Sequence, residues 1–112
     1  MITTKKNVSL ITFGFLFFLS ILKVEAKPLI RGESLFETNC SVCHLGGNNI
    51  IIPEKNLKKE TLKENGMDTI SAISYQIING KNGMPGFGGR LTEGEIEEIA
   101  NYILEKSETN FK

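Results

Sequence analysis

The segment Cys40-Ser41-Val42-Cys43-His44 contains both cysteines and the single histidine of a 112-residue chain. Thiol and imidazole chemistry is thus confined to five consecutive residues, and outside them the soft metal donors are methionines. The spacing C-x-x-C-H is the attachment signature of a c-type haem. If the segment is helical, its positions i, i+3 and i+4 share a face. Two thiols can then add to vinyl groups along one porphyrin edge while the imidazole reaches the iron. Three other readings compete. A disulfide between cysteines three apart closes a tiny loop, gains little loop-closure stability and leaves His44 without a role. A thioredoxin-like dithiol expects a βαβ context. A tetrahedral zinc site needs four ligands, whereas the sequence offers two thiols and one imidazole.

A haem that carries electrons takes a second axial ligand, because an open position binds small molecules. With His44 committed, sulfur is the remaining donor. Beyond Met1 the methionines are Met67 and Met84. Met67 precedes a helix start, where it can fill core space or cover a haem edge. Met84 sits in Gly80-Lys81-Asn82-Gly83-Met84-Pro85-Gly86-Phe87-Gly88-Gly89, where five of ten residues are glycine. Those glycines let the backbone approach a porphyrin closely, and Pro85 stiffens the loop. Met84 is therefore the predicted sixth ligand. A His/Met pair favours Fe(II) and raises the potential, and filling both axial positions argues against peroxidase or oxygen-binding activity.

The composition fits a domain built around such a group. With 13 basic and 13 acidic side chains the protein is formally neutral, which removes an electrostatic case for nucleic acid. That average joins two unlike parts. Residues 1–26 open with Lys5 and Lys6, continue through an apolar run from Val8 to Leu22 and close on Val24-Glu25-Ala26, the three parts of a secretory signal peptide. Cleavage is expected after Ala26. The run is shorter than the roughly 20 residues that span a bilayer, so a permanent anchor is the weaker reading and the mature form is expected not to be membrane-inserted. Residues 27–112 then form one domain, with 10 Lys and Arg against 12 Asp and Glu for a net charge of −2. Only 30 of these 86 residues are hydrophobic. Domains this small and this lean need a staple to be stable, and the haem supplies one.

Periodicity predicts an all-α fold with long loops. Gly32, Leu35, Phe36, Cys40 and Cys43 mark one face of a helix over 29–43. Leu45 to Pro53 has turn chemistry, with isoleucines that cover something apolar. A short surface helix is predicted over 57–64, ended by Asn65-Gly66. Asp68 is the expected cap of the next helix, whose apolar positions Ile70, Ile73, Ile77 and Ile78 run until Asn79-Gly80. Thr92 and Glu95 form a capping box ahead of a stripe of Ile96, Ile99, Ala100, Ile103 and Leu104.

Three stretches together are similar to cytochrome c6, the photosynthetic class I c-type cytochrome of cyanobacteria and algal plastids. They are Cys40 through Asn49, Ser74-Tyr75-Gln76 followed by Asn79-Gly80-Lys81, and Met84 through Leu91. The resemblance implies a class I cytochrome c fold of about four helices around one covalently bound haem c, held through Cys40 and Cys43 and ligated by His44 and Met84. It places Gln76 beside the haem, where it keeps the potential high, and Arg90 near the face that meets partners. It also crosses the first and last helices at Gly32, Phe36 and Tyr102. Asn49 and Lys55 are candidates for contacts near the haem and its propionates, with solvent-facing loop positions as the alternative. Gly83 to Phe87, including Pro85, is expected to border the exposed haem edge. A backbone carbonyl near Pro53 is the expected partner of His44 Nδ1.

The implied function is not enzymatic. It is one-electron transfer from cytochrome f of the b6f complex to photosystem I in the thylakoid lumen. A leader of 26 residues has room for an export signal but not for a transit peptide as well, which fits a plastid or cyanobacterial gene. The alternatives are a bacterial periplasmic cytochrome c that feeds a respiratory oxidase, and a haem sensor or peroxidase-like enzyme from which Met84 would have to leave the iron.

Overall fold

A computed structural model describes residues 29–112; the expected leader and its cleavage after Ala26 lie outside the described residues. The described part forms helix α1 over 29–39, α2 over Ser41–His44, a 3-10 turn over Leu45–Gly47, α3 over Lys59–Glu64, α4 over Ile70–Asn79 and α5 over Glu93–Ser107. Among the described residues there is no strand, only one isolated antiparallel bridge between Lys81 and Met84. None of their helices is long and apolar enough to cross a membrane.

The predicted helix over 29–43 is two helices. Thr38 Oγ1 and Asn39 Nδ2 donate to the carbonyls of Ser34 and Leu35, both at 2.9 Å, and Ser41 Oγ donates to that of Glu37. Such back-bonding loosens a helix end, and at Cys40 the backbone leaves regular helix with φ −117° and ψ −30°. The Cys40 carbonyl then accepts from the amides of both Cys43 (3.1 Å) and His44 (2.9 Å), so the motif forms one fresh turn with the i, i+3, i+4 relation intact.

α1 crosses α5 where Gly32 removes a side chain. A Cβ there would collide with the Glu98 carbonyl and lie 3.1 Å from Tyr102 Cβ. Phe36 meets the Tyr102 ring at 5.2 Å between centroids. Arg31 Nε lies 3.3 Å from Glu98 Oε2 and fastens the same crossing. The α5 stripe behaves as its periodicity predicts. Ile96, Ile99, Ala100 and Ile103 are buried with Ile73 and Ile77 of α4, Leu104 is half-buried at the edge of the stripe, and the capping box forms in both directions.

Three boundaries shift for local reasons. α3 starts at Lys59 because the Leu57 amide is tied to the Gly47 carbonyl at 2.7 Å and Asn56 Oδ1 accepts from the Lys58 amide at 3.0 Å. Thr69, not Asp68, caps α4, its Oγ1 accepting from the Ala72 amide at 3.1 Å. Within α4 only Ile73 and Ile77 are buried, while Ile70 and Ile78 lie at the margins of the stripe. Gly80 ends α4 with φ 69°, where a Cβ would strike the backbone of Pro85 and Gly86, so the methionine loop folds directly onto the helix end.

Candidate functional site

One cleft of about 340 Å³ opens between the α1–α2 corner, the loop over 49–57, α4 and the glycine-rich loop. Cys40, Cys43, His44, Gln76 and Met84 all line it, so residues 44 positions apart in sequence share one site. Asn49, Lys55, Pro85 and Phe87 line it as well; Arg90 does not.

The cysteines are free thiols, Cys40 buried and Cys43 half-buried. Burial pushes the Cys40 thiol up to about 11. His44 Nδ1 lies 2.9 Å from the Asn48 carbonyl. A carbonyl only accepts, so Nδ1 carries the proton and Nε2 keeps a free lone pair for a metal. The expected partner near Pro53 is thereby corrected. Gly46 and Gly47, with φ 66° and 77°, turn the backbone tightly after His44 and bring the Asn48 carbonyl back over the ring before Pro53 is reached.

Met84 is half-buried and its Sδ accepts a 3.8 Å hydrogen bond from Gln76 Nε2. The Lys81–Met84 bridge, with amide-to-carbonyl distances of 3.0 and 2.9 Å, holds the loop in register. Phe87 is buried, its amide donating to the Ile77 carbonyl at 2.8 Å, so it belongs to the cleft floor and not to an exposed border. Gly83 and Pro85 do lie exposed on the rim.

Both candidates of the 49–55 loop line the cleft and are held locally. Asn49 Oδ1 accepts from the amides of Ile51 (3.1 Å) and Ile52 (2.9 Å), and its Nδ2 donates to the Lys55 carbonyl at 3.0 Å. Lys55 is exposed, and its Nζ donates to Asn65 Oδ1. Arg90 stacks on Phe87, its guanidinium 4.4 Å from the ring centroid, and stays exposed beside the cleft.

Sequence reading does not single out Lys81 or Phe111. The charged side chains that line the cleft are Lys55 and Lys81, with no carboxylate among them, although residues 27–112 are net acidic. Phe111 lies against Phe36 and Tyr102 at centroid distances of 6.0 and 6.5 Å and seals the α1–α5 crossing beside Gly47. Its only signal is a lone aromatic in a polar tail.

These walls fit a haem. Two unpaired thiols, one imidazole nitrogen and one thioether converge on an apolar cleft whose charges are cationic, as an acidic porphyrin requires. An all-α frame closed by crossing terminal helices, with C-x-x-C-H on the cleft it encloses, is that of a class I c-type cytochrome. The chain is 60% identical over 78 residues to cytochrome c6 of Bumilleriopsis filiformis, covering 70% of this chain and 91% of that one. It is 50% identical over 106 residues to cytochrome c6 of Pyropia yezoensis, covering 93% and 96%. It belongs to the cytochrome c6 family.

The crystal structure of cytochrome c6 from the diatom Phaeodactylum tricornutum superposes with a TM-score of 0.71 at 45% identity, covering 73% of this chain and 97% of that one. A family model described as cytochrome c oxidase, cbb3-type, subunit III, matches residues 28–103, the stretch that carries the motif and the methionine loop. The protein is thus a c-type cytochrome electron carrier with one covalently bound haem c.

Proposed function

We propose that this protein takes electrons from cytochrome f of the b6f complex to photosystem I in the thylakoid lumen, as the mature domain 27–112. The observation that carries the reading is the donor set: the His44 imidazole and the Met84 thioether line one cleft, with a Gln76 amide on the sulfur. His44 and Met84 would both hold the iron of a haem bound there, leaving it to change charge without binding substrate. The haem supplies a one-electron Fe(III)/Fe(II) couple.

The residues divide the remaining work. Cys40 and Cys43 are the attachment points, and the Asn48 carbonyl orients the His44 ring through Nδ1. Gln76 draws electron density from Met84 Sδ, which disfavours the oxidised iron. Ile73, Ile77 and Phe87 keep water from the floor of the cleft. Val42 and Ile51 on its rim, 82% and 56% exposed, give an apolar edge on which a partner can sit close. With a net charge of −2 over residues 27–112 before the propionates, docking is weak and salt-dependent.

The description of the matching family as an oxidase subunit favours a second reading, donation to a respiratory oxidase. Flash photolysis decides between them. The purified holoprotein should re-reduce photo-oxidised photosystem I at a rate that rises with its concentration and varies with salt. No re-reduction, with rapid turnover of a terminal oxidase instead, would replace the first reading by the second.

A further inference from the structure

The sequence holds three Asn-Gly pairs, Asn65-Gly66, Asn79-Gly80 and Asn82-Gly83. Glycine after asparagine leaves the next amide nitrogen unhindered, so each pair can close a five-membered succinimide ring. The fold protects two of them. Asn65 Nδ2 donates to the Thr61 carbonyl at 2.8 Å, its Oδ1 is held by Lys55, and the Gly66 amide donates to the Lys63 carbonyl at 3.1 Å. Asn79 Nδ2 donates to the Tyr75 carbonyl at 2.8 Å, and the Gly80 amide donates to the Gln76 carbonyl at 2.7 Å. In both pairs the electrophile and the nucleophile are engaged at a helix end.

Asn82-Gly83 is different. Among the described residues neither the Asn82 side chain nor the Gly83 amide has a hydrogen-bond partner, and both residues are exposed on the tip of the methionine loop. Asn82 also holds φ 53°, the left-handed region, at the turn closed by the Lys81–Met84 bridge.

We infer that Asn82 is a site of spontaneous deamidation on the rim of the cleft. The Gly83 nitrogen gives its proton to hydroxide and attacks Asn82 Cγ. The new C–N bond forms as the bond from Cγ to Nδ2 breaks, and ammonia departs with a proton drawn from water. Water then opens the ring at either carbonyl and leaves aspartate or isoaspartate at position 82; no electrons are exchanged. Either product adds a negative charge to a cleft whose own charged lining is Lys55 and Lys81. The isoaspartate also adds a backbone carbon inside the turn that carries Met84.

Incubation of the holoprotein in mildly alkaline buffer, followed by peptide mapping with fragmentation that separates aspartate from isoaspartate, tests this. At Asn65 and Asn79 a helix-end hydrogen bond must open before the ring closes. An opening of about 1.4 kcal/mol slows the reaction about tenfold, so Asn82 should convert at least about tenfold faster than either. Gly83→Ala should slow conversion at Asn82; its methyl would meet only the exposed Ile51 side chain, Cδ1 at 3.0 Å and Cγ2 at 3.6 Å, and no backbone, so the fold survives it. The assignment is overturned if Asn65 or Asn79 converts as fast, if Gly83→Ala changes nothing, or if Asn82 stays intact while a free peptide of residues 81–88 deamidates.

Discussion

The amide of Gln76 donates to Met84 sulfur, so with Met84 as the proposed sixth ligand it would compete with the iron for the same lone pairs. That hydrogen bond would cost the oxidised iron more than the reduced one, since Fe(III) needs the stronger donor. Removing it with Gln76→Val should therefore lower the midpoint potential. A differential of about 1 kcal/mol corresponds to about 40 mV in a one-electron couple, and spectroelectrochemical titration reads a shift of that size. Met84→Ala should do more, lowering the potential by some tenths of a volt within the roughly 0.8 V that axial ligation spans and abolishing the methionine-to-iron charge-transfer band of the oxidised protein. An unchanged band in Met84→Ala would remove Met84 from the iron. At this scale the chemistry is legible in residue type, because two thiols, one imidazole and one well-placed thioether leave few assignments. Backbone partners are not: the Asn48 carbonyl reaches His44 only because Gly46 and Gly47 both take positive φ, and two glycines in a row do not announce which conformation they adopt.

Elements are legible where one short stretch decides them. Thr92 and Glu95 satisfy each other's orphan amides within a single turn, at 3.0 and 3.2 Å, and the box follows from four residues alone. The amide and hydroxyl of Thr92 hold the Glu95 carboxyl below its ordinary range. A lowered carboxyl contributes stability that is complete above the unfolded-state pKa and is lost as pH falls through the folded one. Glu95→Gln keeps a side-chain acceptor for the Thr92 amide but does not titrate. Thermal melts across the acid range should therefore show a steeper loss in the parent protein than in this variant, and parallel curves would contradict the assignment.

Where a second element decides, the sequence alone underdetermines the outcome. The break at Cys40 depends on three neighbouring side chains turning back onto the α1 carbonyls, and Phe111 gains its place only from Phe36, Tyr102 and the bare backbone of Gly47. Gly32→Ala tests the crossing that these residues seal. With the Glu98 carbonyl in the way, α1 must shift or tilt, at about 1–3 kcal/mol for overpacking, and denaturant unfolding of the oxidised holoprotein should move to lower midpoint with an unchanged slope.

At the scale of the whole molecule the buried residues form one thin layer. Its members come from α1, the Cys40 corner, α3, α4, α5 and the methionine loop, and the cleft cuts into it so that Phe36, Cys40, Ile73, Ile77 and Ile103 serve the core and the site at once. Without a group in the cleft the half-buried walls made by Cys43, Ile52, Leu57, Met67 and Met84 face water. At about 24 cal/mol per Å³ of void, a cleft of about 340 Å³ would cost up to about 8 kcal/mol, an upper bound because it opens to solvent. A small domain has about 5–15 kcal/mol in all. The haem is therefore part of the core, and the low apolar content of residues 27–112 is the sequence trace of that arrangement. Replacing both attachment thiols, Cys40→Ser with Cys43→Ser, should give a protein that lacks covalent haem, has much less helix in far-ultraviolet circular dichroism and melts without a cooperative transition. The α1–α5 crossing has the best chance of persisting, since Gly32, Phe36, Tyr102 and Phe111 pack there; amide protection confined to those helices would mark it. Cooperative melting of the haem-free double variant near the temperature of the holoprotein would show that the apolar layer suffices alone and would overturn this account of the fold.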